Sequence, residues 1–134
     1  MIDIESELFN AIATEIRNVR SDVYITGEYV NSPPSFPCVS IVEADNQIYR
    51  NGRDSSNIEN FAQLIYDVNV YSNKDKTKKS ECKSLIQIID NKMESMGFTR
   101  TVLNVIPNQA DATIYRMNVR YRAIVSKNKV IYRR

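Results

Sequence analysis

Apolar residues in this chain recur with two different periods, and the changes between them divide it. Ile4, Leu8, Ile12, Ile16 and Val19, with Phe9 and Ala13 beside them, fall at three-to-four spacing. They form one apolar stripe of a helix over about residues 4–20. Asp3 is placed to cap its start, while Glu5 and Glu7 suit the positive end of the helix and Arg17 and Arg20 the negative end. A short strand, "VYITGEY", follows. "VNSPPSFP" then breaks the pattern, because its prolines fit neither a helix nor a central strand.

"CVSIVEA" reads as a second strand, with Cys38, Ser40 and Val42 on one face and Val39 and Ile41 on the other. "DNQIYRNGRDSSN", centred on Asn51-Gly52, is either a plain hairpin turn or a longer projecting arm; its length favours the arm, carrying Gln47, Tyr49, Arg50 and Arg53. In "NFAQLIYDVNVYS", Ala62, Leu64, Tyr66, Val68 and Val70 alternate with mostly polar residues. A second helix spans "NKDKTKKSECKSLIQIIDNKMESMGF". Cys82, Leu85, Ile86, Ile89, Met93 and Met96 lie on its apolar side, and Gly97 is its C-terminal cap. The lysines at its head suit the helix dipole poorly, and read as a solvated face or a partner contact.

"RTVLNVIP" and "TIYRMNVRYRAIVS" close the sheet. The predicted order is α-β-β-β-α-β-β: an α+β fold, mainly antiparallel, with both helices on one face. Residues 1–134 read as one domain, with 127–134 an extended C-terminal arm.

In the last strand Tyr115, Met117, Val119, Tyr121, Ala123 and Val125 share the face beneath the helices; Arg116, Asn118, Arg120 and Arg122 share the other. The row from Arg116 to Arg122 extends about 20 Å. Three readings stand: a solvated face with cross-strand partners such as Asp67, a subunit interface meeting acidic surface, or a grip on nucleic-acid backbone. Beyond it, "SKNKVIYRR" carries Lys127, Lys129, Ile131, Tyr132, Arg133 and Arg134; after a turn, Val130–Tyr132 form a segment suited to pairing with another chain's sheet edge.

Charge sharpens this picture. Residues 1–75 carry 12 acids and 5 bases, whereas residues 112–134 carry 7 bases and no acid. Such asymmetry suits self-association, or a fold that joins the two ends. The chain has no His, which removes the usual general base and every Ser-His or Cys-His nucleophile pair. Glu43 and Asp45 share a strand face but lack a third partner for catalysis or a metal. Cys38 and Cys82 are expected as buried thiols. The start has no secretory signal pattern and no apolar run reaches membrane-spanning length, so a soluble cytoplasmic protein without cofactor or metal is expected.

Four stretches carry a resemblance: "MIDIESELFNAIATEIR", "YITGEYVNSPPSFPCVSIVEADNQIYR", "YDVNVYSNKDKTKKSECKSLIQIIDNKMESMGFTRT" and "ATIYRMNVRYRAIVSKNKVIYRR". In overall pattern the chain resembles the tail terminator proteins of long-tailed bacteriophages and phage-tail-like particles. That resemblance implies a structural virion protein, not an enzyme, assembled in a bacterial cytoplasm. Such proteins form a ring, commonly hexameric, at the head-proximal end of the tail tube. The ring ends tube polymerisation and offers a surface for the neck or head-completion protein, and for the sheath where the tail contracts. Its partners would be itself, the tube protein, the sheath protein and the neck; DNA would be passing cargo and no membrane is involved. Arg116, Arg120 and Arg122 are then expected between subunits or toward tube or sheath, as are loop 46–57 and residues 127–134. A neck or head-closure protein, and a small nucleic-acid-binding module using the basic end, are the alternatives.

Overall fold

The computed structural model describes residues 1–49, 61–107 and 111–132. The expected order is found: α1 (Glu5–Val19), β1 (Tyr24–Thr26), β2 (Cys38–Ile48), β3 (Phe61–Ser72), α2 (Lys78–Met96), β4 (Thr99–Pro107) and β5 (Tyr115–Ser126), followed by a two-residue β6 (Ile131–Tyr132). The strands lie in the order β1-β2-β3-β5-β4, with β6 also on β5. All pairings are antiparallel except β1 with β2.

The helices bury the stripes that periodicity assigned them. Leu8, Ile12, Ala13 and Ile16 of α1 are buried, but Val19 is 65% exposed, so the stripe stops one turn early. At the start of α1 the Glu5 amide donates to Asp3 Oδ1 at 3.0 Å. Helix α2 begins at Lys78, later than its charged prelude suggests, after Lys76 at φ 66°. It ends as expected at Gly97, whose φ of 101° is open to glycine at little cost. There the Phe98 amide donates to Met93 O and the Gly97 amide to Glu94 O, each at 3.0 Å, satisfying carbonyls the helix leaves over.

Register confirms the alternation. Tyr66, Val68 and Val70 of β3 lie opposite Tyr121, Val119 and Met117 of β5, and all six are buried beneath the helices. The Tyr66 and Phe98 rings meet edge to face at 5.7 Å. Cys38 and Cys82 are free and buried, as expected; burial pushes the Cys82 thiol up to about 12 and the Cys38 thiol to about 11.

One expectation about β2 is overturned. Its register slips between Glu43 and Asp45, so Glu43 sits opposite Tyr66 on the helix side and Asp45 opposite Ile65 on the other. An extra residue in one strand reverses the alternation beyond it, and the two carboxylates therefore do not share a face. Glu43 instead accepts a hydrogen bond from the Tyr66 hydroxyl at 3.1 Å.

Candidate functional site

The arginine row lies on the sheet face away from the helices, and its own sheet supplies partners for two of its members. Arg120 stands directly opposite Asp67, with Nη2 at 3.6 Å from Oδ2. Arg116 donates through Nε and Nη2 to Asn69 Oδ1 at 3.1 and 3.0 Å, and its guanidinium lies 5.4 Å from the Tyr71 ring centre. Between them Asn118 Nδ2 donates to Asp67 Oδ1 at 2.6 Å and to Asn69 Oδ1 at 3.1 Å. Arg122 forms no ion pair among the described residues and stands opposite Ile65. The cross-strand reading, with Asp67 as partner, thus describes Arg120.

This face is less solvated than its polarity suggests. Asp67, Asn69, Tyr71 and Ser40 are all buried. The proline-rich segment between β1 and β2 crosses above them: the Tyr71 hydroxyl donates to Val30 O at 3.0 Å and the Ser40 hydroxyl to Glu28 O at 2.8 Å. The break in the pattern therefore works as a cover. It satisfies polar side chains that would otherwise be buried without partners.

Residues 127–132 do not extend as an arm. The chain turns after Ser126, and Ile131 and Tyr132 pair with Val125 and Ile124 of the same chain. A hairpin with a short turn makes the adjacent strand the nearest available edge, ahead of another chain's. Lys129 Nζ reaches Glu7 Oε1 at 2.8 Å, joining the basic end to the acidic start. That contact holds the Glu7 carboxyl below its ordinary value and raises Lys129. Ile131 packs beneath the end of α2, where a Cβ on Gly97 would come within 2.9 Å of Ile131 Cγ2. A cleft of about 340 Å³ opens alongside, lined by Met1, Ile2, Asp3, Ser6, Glu7, Lys127 and Lys129. Of the remaining predicted residues, Gln47 lies in β2 and Tyr49 just beyond it, its amide donating to Phe61 O at 2.9 Å. Arg50, Arg53, Arg133, Arg134 and the Asn51-Gly52 turn lie outside the described residues.

Two features were missed by reading the chain as a pattern. Glu81, on the buried side of α2, accepts from Arg20 Nη1 at 2.9 Å and from the Ser72 hydroxyl, so it ties together the end of α1, the start of α2 and the end of β3. Its place on the same stripe as Cys82 and Leu85 was the available signal. The second is β4, which is exposed along nearly its whole length although Val102, Leu103, Val105 and Ile106 make it rich in apolar side chains. No group of three or more His, Cys, Asp or Glu suited to a metal occurs among the described residues. No helix among them is long and apolar enough to cross a membrane. What the described residues present here is a strand edge with exposed apolar side chains beside a one-signed flank.

No protein-family model matches this chain, and no curated protein matches it by sequence.

Proposed function

We propose that this chain is a tail-terminator subunit, a structural protein that assembles as a ring on the head-proximal end of a phage-type tail tube and ends its polymerisation. The observation that supports this most is the charge and edge asymmetry of the sheet. Residues 1–48, which form α1, β1 and β2, carry eight carboxylates against two bases. Toward the opposite edge β4 and β5 carry four bases and no carboxylate within residues 99–107 and 115–126, whereas Lys127 and Lys129 of the following turn lie against the acidic start. A cyclic ring requires two different patches that meet head to tail, and flanks of opposite sign meet that need. The fold order agrees with the pattern on which the resemblance rests.

The test is to add purified protein to tail tubes assembled from a purified phage tube protein and to image both by negative stain. Density capping one end and arrested tube growth are expected. Tubes that elongate unchanged, together with a DNA mobility shift that disappears as salt rises, would overturn the reading in favour of a phosphate-binding module.

A further inference from the structure

Among the described residues strand β4 ends the sheet and pairs with β5 on one side only. Eight of its nine residues are exposed, among them Val102 at 38%, Leu103 at 43% and Val105 at 52%. Its one charged side chain, Arg100, sits near its start and is drawn toward Asp90 at 3.5 Å. A bulge at Thr101 and a proline at 107 confine the usable edge to Val102–Ile106, about 17 Å of backbone. Soluble proteins generally guard such an edge with charge or cover, because its free amides and carbonyls are a template for another strand. Here the middle of the edge has neither.

We propose that β4 is a docking strand whose open edge joins the acidic β1–β2 flank of a second copy of this chain, head to tail. Charge selects that occupant over the obvious alternative. Two-fold pairing of β4 with β4 would set two basic flanks side by side, each with Arg116, Arg120 and Arg122 on the strand close behind. Like charges across a pairing are destabilising, whereas the β2 flank presents the opposite sign.

The opposite edge has room for the strand. β1 pairs only with Cys38–Ser40, so among the described residues no strand lies on that side of the remainder of β2. The N-terminal segment crosses part of it, with the Glu43 amide donating to Glu5 Oε2 at 3.3 Å and Asn46 Nδ2 to Ile2 O at 2.8 Å. Ala44, the extra residue of the bulge, is exposed, and beyond it Gln47 is exposed and Ile48 is 43% exposed. Three antiparallel steps separate β2 from β4, so they run in opposite directions. Copies related by rotation about an axis along the strands would therefore meet as an antiparallel pair, the more stable arrangement. Closure into a ring rests on the proposed function; the edge contact itself does not.

The experiment uses the full chain, alone and on tube ends, with mass read by sedimentation. The Leu103→Lys/Val105→Lys variant alters only exposed side chains and should keep its helical spectrum and melting temperature while losing assembly entirely. A second variant carries Ala44→Cys with Val105→Cys; Cys38 and Cys82 are buried and stay silent. Mild oxidation should give a ladder of linked copies only when both new thiols are present. Rings that persist in the lysine variant would overturn the β4 contact and leave the terminator reading standing. A covalent dimer from Val105→Cys alone would overturn the head-to-tail arrangement. A wild-type chain that stays monomeric both free and with tubes would overturn both proposals.

Discussion

Strands β5 and β4 are neighbours that share eight rungs, yet they live in different environments. Val119 is fully buried and Leu103, its partner across the rung, is 43% exposed; Met117 is 3% exposed and its partner Val105 52%. Sequence does not separate them, since both strands carry aliphatic residues on the helix side. Width does. Two helices each about 10 Å across cover about 20 Å, whereas five strands spaced about 4.8 Å apart need about 24 Å. α2 touches β3, β5 and β4, α1 packs beside it, and the last strand is left mostly bare. Burial is thus decided by position in the sheet, and β4 stays apolar although it is uncovered.

The comparison can be broken most directly at its buried member. Val119→Ala should cost about 2–3 kcal/mol, from lost transfer energy and a cavity between two helices and the sheet. Denaturant unfolding would measure it, and a cost below that of Leu103→Ala would contradict the assignment of core and edge. Glu81→Ala should cost about 2 kcal/mol, because the buried Ser72 hydroxyl loses its acceptor and Arg20 loses one of two carboxylates. Ser72→Ala in the same background should recover part of that loss.

Gly97→Ala tests the point where helical cover ends and β4 begins. A side chain there meets both the strained backbone and Ile131, so a loss of about 1–2 kcal/mol is expected in thermal unfolding. A smaller effect involves Glu43. Burial raises its pKa above the ordinary 4.5, with Glu5 and Asp3 adding to the rise and Tyr66 opposing it. Because the folded form holds the proton more tightly, stability should fall as pH rises from about 4.5 through the raised value. Glu43→Gln should flatten that part of a melting-temperature profile against pH. The smallest change is expected from Leu103→Ala, within about 0.5 kcal/mol for the monomer.

Much of this was legible because it depends on local spacing. The α1 stripe, the alternation of β3 and β5, and Gly97 as a cap each follow from a period or a backbone preference within a few residues. Within the candidate surface, the arginine row was correctly placed on the face opposite the helices, and Asp67 was identified as a partner. The rest involved elements distant in sequence. Nothing in "CVSIVEADN" announces the extra residue that sends Glu43 and Asp45 to opposite faces. Val19 continues the helical stripe by spacing but lies past the end of what α1 packs against.

By itself, then, the amino-acid sequence determined the types and order of the main elements, the inward faces of both helices, β3 and β5, the buried thiols and the opposition of an acidic start to a basic end. Only the tertiary structure decided that Lys129 meets Glu7 and that the proline-rich segment covers Ser40 and Tyr71. It also decided that Glu81 clamps three elements and that β4 is left open. The reason is physical: periodicity records which way a side chain points, whereas cover depends on how many other elements are wide enough and close enough to reach it.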